Sequence, residues 1–274
     1  MPKRPVWYVW GYLLLISTVA FAGALLAMVV LGRNTDAALA WLVRCSLIML
    51  LVVATTSWFI RRDRLSWVRY GVAANGRAVD SVFVGFLGGG ALALLWALIV
   101  QVWAPFEWSW NPAFRMRALL MAAAAAMALG VAEEVGYRSY GLERMYEQHG
   151  ALAAVVVPSA VFVLAHLSGG MPWQAAVLVV GTCSLLYGCL MLVTRSLPLV
   201  AAFHVANNLI QDALLRTGEG SLWRPEFQNA DAPHDHQMAI WACMGGANVI
   251  VAACVWLFRA KFRRDGAVAS WPKQ

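Results

Sequence analysis

Two adjacent carboxylates, Glu133 and Glu134, follow the apolar run MAAAAAMALGVA, and Arg138 stands four residues beyond the second. A charge at bilayer depth costs at least about 2.5–3.5 kcal/mol, so such a pair needs a partner or a task. Two further groups repeat the spacing: FVLAH sets Phe162 and His166 four residues apart, and HVANN does the same for His204 and Asn208. Residues at i and i+4 share a helix face, so each group aims its members in one direction, which in a bundle is inward. Each has an ordinary explanation when taken singly. Glu134 and Arg138 are spaced as a helical ion pair, His166 as a core histidine, and His204 with Asn208 as an interhelical hydrogen-bonding pair. Their joint occurrence on successive polar-bearing spans favours one shared site.

The chemistry that suits this set is hydrolysis of an amide bond. A carboxylate partly withheld from water can act as general base on an attacking water. Histidine and asparagine side chains can donate hydrogen bonds to the oxyanion that develops. Arg138 would hold Glu134 and limit the repulsion between the two acids. No HExxH, no GxGD aspartate pair and no GxSx serine with a matching histidine span is present. A zinc ion held by Glu134, His166 and His204 stays open as an alternative; otherwise no cofactor is expected.

EExxxR at 133–138, FxxxH at 162–166 and HxxxN at 204–208, in this order, resemble the CPBP family, which includes the CAAX prenyl proteases and bacterial Abi-type membrane proteins. The matched motifs cover roughly residues 118–210. The resemblance implies an eight-spanning intramembrane glutamate protease, for which a metal mechanism has also been proposed. It implies Glu133 as the base, Glu134 as its support, His166 and His204 on the water or oxyanion, and Asn208 completing the oxyanion site. Many members carry Gly where this chain has Ser139; a small residue is kept, so little effect on the fold is expected. Some members act as immunity or scaffold proteins. A non-proteolytic immunity or regulatory protein is therefore the first alternative function, and a proton-coupled transporter is the second.

The elements that must position these residues are membrane helices. The chain has 274 residues, of which 61% are hydrophobic and 13% charged, too few charges for the surface of a soluble domain of this length. Uncharged stretches at 6–32, 81–106, 167–194 and 238–258 meet the roughly 20 residues needed to span hydrocarbon. Weaker stretches near 37–60, 116–135, 150–167 and 196–215 bring the expected total to eight. The fold class is thus all-α: one integral membrane domain over 1–274, with its chemistry in about 116–216. The first span is too long for a signal peptide's apolar core and is read as retained. The five cysteines all fall in apolar spans and read as small buried hydrophobes.

With eight spans, 15 of the 21 Lys and Arg fall on one side, which by the positive-inside pattern is cytoplasmic and holds both termini. This distribution assigns the net charge of +7 to topology and anionic lipid, not to nucleic acid. The expected partners are the bilayer and a membrane-anchored or lipidated protein substrate, and the expected location is a bacterial inner membrane. Depth follows from counting. With a helix turn at His149-Gly150, Glu133 and His166 lie about equally far from it, provided that helix four runs on through YRSYGLERMYEQ and emerges at the surface. His204, about two turns after Pro198, then falls nearer the cytoplasmic face than Glu133.

Overall fold

The computed structural model describes residues 6–32, 35–72, 76–216 and 218–259. Lys3, Arg4, Arg33 and the tail from 260 onward, which carry part of the charge asymmetry, lie outside them. The structure is an all-α bundle: α1 (Val6–Leu31), α2 (Ala37–Arg62), α3 (Gly76–Trp103), α4 (Met116–Arg138), α5 (Tyr140–Ser168), α6 (Trp173–Thr194), α7 (Leu197–Leu215) and α8 (Gln237–Leu257). Among the described residues six continuous helical stretches are long and apolar enough to cross a membrane, one of them the 53-residue run from Met116 to Ser168. That run is broken twice, at Ser139 and at Gly150, so it holds more than one rod. α7 is not among the six, because His204, Asn207, Asn208, Gln211 and Asp212 dilute its apolar character. The protein is an integral membrane bundle.

Packing sets two ends. At one, β1 (Phe106–Trp110) pairs antiparallel with β2 (Trp223–Phe227), which ties the loop after α3 to the loop after α7. Strand alternation puts Phe106, Trp108 and Trp110 on one face with Trp223, Pro225 and Phe227, and Glu107, Ser109, Arg224 and Glu226 on the other. Asn111 fastens the same loops through its side-chain amide to the carbonyls of Gly218 and Ser221, both at 2.9 Å. At the opposite end the loop after α2 meets the loop before α7, where Gly71 (φ 75°) lies against Arg195 and Ser196.

α3 and α7 run side by side in the same direction, with Gly85 against Leu199 and Gly89 against Phe203. A Cβ on Gly89 would lie 1.9 Å from the Phe203 carbonyl oxygen, and one on Gly85 2.2 Å from that of Leu199. Only glycine permits this approach, the small-residue packing by which helices associate in lipid. The second arm of α5 packs antiparallel to α6, with Val163 near Gly181 and Val155 near Gly188.

The expected run of helix four through residues 140–149 to the surface is corrected by the structure. α4 ends at Arg138, and Ser139 (φ −91°, ψ −106°) breaks the helix. Two of the carbonyls that a helix end leaves without partners are met here: Val135 accepts from the Ser139 hydroxyl, and Gly136 accepts from the Tyr12 hydroxyl at 3.0 Å. The following arm, 140–149, turns inward, and Tyr140 to Met145 are buried. Polar partners at this end stabilise that burial. Arg144 reaches Asp63 at 2.5 Å and Glu147 at 2.7 Å, Tyr140 donates to Asp63 at 2.7 Å, and Arg69 holds both Glu143 and Glu147. The break expected at Gly150 is present (φ 80°), but it separates two arms of α5 and does not turn α4 back on itself.

Candidate active site

Glu133 and Glu134 lie in the next-to-last turn of α4 and point to neighbours of different character. Glu134 is fully buried: its Oε1 accepts from His204 Nδ1 at 2.7 Å, and its Oε2 lies 3.4 Å from Arg138 Nε. An ionised carboxylate can only accept, so Nδ1 of His204 carries its proton, and the other ring nitrogen is directed elsewhere. That nitrogen, Nε2, is 3.6 Å from Glu133 Oε2. One imidazole therefore spans both acids. Glu133 is the more open of the two, with 18% of its side chain exposed against 0% for Glu134.

His204 comes level with Glu133, nearer than counting along the sequence suggests. The reason is the early end of α4. Glu133 stands six residues before Ser139 and His204 eight residues after the α7 cap Ser196, about 9 Å and 12 Å of helix from the same end of the bundle. The cap is made by the Ser196 hydroxyl, which accepts from the Leu199 amide at 3.3 Å.

Arg138 is held from several directions. Its Nη2 donates to the Ser184 hydroxyl at 2.6 Å, and Ser184 in turn donates to Ser159 at 2.9 Å. Three rings enclose the guanidinium, with Phe162 at 4.8 Å and Tyr137 and Tyr187 each at 5.7 Å. Phe162 touches His166 edge to face, with ring centroids 4.4 Å apart. His166 Nδ1 donates to the Phe162 carbonyl at 2.9 Å, which leaves Nε2 for other partners.

The structure thus joins Glu133, Glu134, Arg138 and His204 directly, and His166 only through Phe162. Among the described residues no hydrogen bond or ion pair links His166 to either glutamate. Asn208 sits one turn beyond His204 on the same face, half-buried, with no side-chain hydrogen bond there. Its neighbour Asn207 is buried, and the Asn207 Oδ1 accepts from Gln211 Nε2 at 2.8 Å. Sequence reasoning missed Ser159, Ser184, Tyr187 and Gln211. Ser184 and Tyr187 stand three apart, one helix face, in an otherwise apolar span, and Gln211 continues the His204–Asn208 stripe at i+7; both signals were present in the spacing.

The alternative metal set is not drawn together. No group of three or more His, Cys, Asp or Glu suited to a metal ion occurs among the described residues. Both Glu134 oxygens already face a histidine N–H and a guanidinium, so these donors as arranged do not fit a zinc centre.

A comparison with curated proteins finds no match. Residues 115–210 match a family described as type II CAAX prenyl endopeptidase Rce1-like. All seven residues first read from the three motifs fall within that match. Through this segment, which contributes both carboxylates, the arginine and the histidines, the chain is similar to the CAAX-protease-like (CPBP) membrane proteases.

Proposed function

We propose that the protein is an intramembrane endopeptidase in which Glu133 activates water against a peptide bond of a membrane-anchored or lipidated protein. The observation that carries this reading is the His204 imidazole set between a buried, arginine-paired glutamate and a more open one. Glu134 and Arg138 balance each other and fix the ring by its Nδ1. Glu133 is then the acid with capacity left for a water molecule. In the reaction the water oxygen attacks the scissile carbonyl carbon while Glu133 takes the water proton. Glu133 hands that proton to His204 Nε2, which passes it to the departing amine, so the C–N bond breaks with acid and amine as products and both side chains return to their starting state. Asn208 and His166 are assigned to the oxyanion, where preorganised donors commonly contribute most.

Several features support a site reached from the cytoplasmic side of a bacterial inner membrane. Glu133 and His204 lie nearer the end of the bundle that carries Arg61, Arg62, Arg64, Arg69, Arg144 and Arg195, the end that the positive-inside pattern assigns to the cytoplasm. The whole chain acts as one membrane domain, with the chemistry confined to about 116–216. The test uses purified protein in detergent and a library of peptides bearing a lipidated cysteine or an apolar tail, with products identified by mass, with and without a chelator. Wild type is expected to cut a subset at one bond, chelator to leave this unchanged, and Glu133→Gln to be inactive while folded. Full activity of Glu133→Gln overturns the mechanism. Loss with chelator that zinc restores moves the chemistry to a metal, and no cutting by wild type moves the chain to the non-proteolytic class.

A further inference from the structure

We infer that Tyr187 is a positioning residue of the site: its ring is the wall that holds the His204 imidazole edge-on to the two carboxylates. The histidine must present both ring nitrogens at once, Nδ1 to Glu134 and Nε2 to Glu133. Both nitrogens lie in the ring plane, so a contact on the ring face adds to the Nδ1 hydrogen bond in stopping the imidazole from rotating about its side-chain bonds and losing Glu133. Tyr187 supplies that contact, stacked at 4.8 Å between centroids with 29° between planes. It is itself immobilised, 2% exposed and wedged edge-on against Phe203.

The other face of the argument is Arg138. The guanidinium touches Phe162 and Tyr187, and each of those rings touches one histidine: Phe162 contacts His166, and Tyr187 contacts His204. The two aromatic rings occupy equivalent places, yet only Phe162 belongs to a motif visible in sequence. A ring face also favours a nearby cation, so Tyr187 stabilises the imidazolium that forms when His204 takes up a proton, without supplying or removing one.

Backbone geometry explains how an α6 side chain arrives there. Residues Ala176–Gly181 form a π-helical stretch, after which regular α-helix resumes at Thr182. Such an insertion adds one residue and turns everything beyond it by about 100°. The turn brings Ser184 to Arg138 and Tyr187 to His204 on one face.

The assignment rests on the hydrolytic reading only for its kinetic arm. The experiment compares full-length wild type, Tyr187→Phe, Tyr187→Leu and Tyr187→Met. It measures kcat and KM against the lipidated peptide that wild type cuts best, and the ring-nitrogen resonances of His204 in 15N-histidine-labelled protein, assigned with His204→Asn. Tyr187→Phe keeps the ring and is expected to match wild type in both. Tyr187→Leu and Tyr187→Met are expected to lose kcat by about 10²-fold, the size of effect that a displacement near 1 Å produces, with KM unchanged, a displaced kcat–pH profile and shifted His204 resonances. Tyr187→Met preserves bulk, so it decides the matter should Tyr187→Leu fail to fold. Wild-type kcat with unmoved resonances in a folded Leu or Met variant overturns the inference. Absence of cleavage by wild type defeats the hydrolytic reading alone, and the resonances then judge Tyr187 by themselves.

Discussion

Among the described residues two clusters of acids and bases are buried, and they are built differently. In the network of Asp63, Arg69, Glu143, Arg144 and Glu147 at one end of the bundle, each acid meets a base or a tyrosine hydroxyl at hydrogen-bonding range, as Arg144 does with Asp63 at 2.5 Å and with Glu147 at 2.7 Å. In the cluster of Glu133, Glu134, Arg138 and His204, one acid is as tightly held and the other is not: Glu133 meets His204 only at 3.6 Å and keeps a part of its surface open. Both look alike in sequence, as acids and arginines at helical spacing. The difference teaches that a structural ion network gives each acid a close partner, whereas the candidate site sets one acid with only a longer contact beside an acid with a close one. Burial alone does not separate the two cases; residual capacity does.

The strongest way to break this comparison is to remove the residual capacity. Glu133→Gln is expected to lower kcat by roughly 10²–10⁴-fold, as for loss of a general base, with thermal unfolding in detergent unchanged. Glu134→Gln should also lose activity but unfold at lower temperature, because Arg138 is left buried beside a neutral amide. Equal thermal shifts in the two variants would erase the distinction drawn between the acids.

Next in size is the closely paired network. Asp63→Asn strips Arg144 of its buried counter-charge, a change that typically costs about 3–5 kcal/mol. The expected outcome is a clear fall in unfolding temperature, with kcat per folded molecule near wild type. A large loss of kcat in folded Asp63→Asn would mean that the network serves the chemistry.

A smaller effect is expected from the helix contact that carries His204. Gly89→Ala places a Cβ against the Phe203 carbonyl, so α7 must shift, and a displacement near 1 Å costs about 10²-fold in rate. Gly246→Ala, where a Cβ meets nothing within 4 Å, is the matched control and should be silent. The smallest effect concerns Glu226 on the strand pair. Hydrogen bonds from Ser109 and then from Arg224 hold its carboxyl below the usual carboxylate range. Its contribution is therefore present at neutral pH and lost as pH falls through that lowered value. Amide exchange over 106–110 and 223–227, compared at each pH with Glu226→Gln, should show extra protection in wild type only above that range.

Much of the site was legible in sequence because it is written at i, i+4. Glu134–Arg138 and Phe162–His166 meet as their spacing requires, and the apolar runs announce a membrane bundle. The depth of His204 was not legible, since it depends on where α4 stops. Nothing about Ser139 by type forces a break; the break is stabilised by Tyr12 from α1 and by the inward pull of Asp63 on Tyr140 and Arg144. The glycines at 85 and 88–90 were visible, but their partner helix was not, because contact between α3 and α7 spans more than a hundred residues of chain. The strand pair escaped for a related reason: two five-residue segments, one containing Pro225, carry too weak an alternation to be read before they find each other.

The glycine face of α3 bears on how the protein is made. A segment as polar as Leu197–Leu215 partitions poorly into lipid on its own, and in the order of synthesis it emerges long after α3 has entered the bilayer. The flat strip at Gly85 and Gly89 is then a receiving groove already in place, against which the late segment can leave the insertion machinery with its apolar side covered and His204 turned toward α4. On this view the two acids spend the early life of the chain without their histidine. On the proposed reading, the cluster of acids and histidine closes only when α7 docks, so the nascent chain is inert until then.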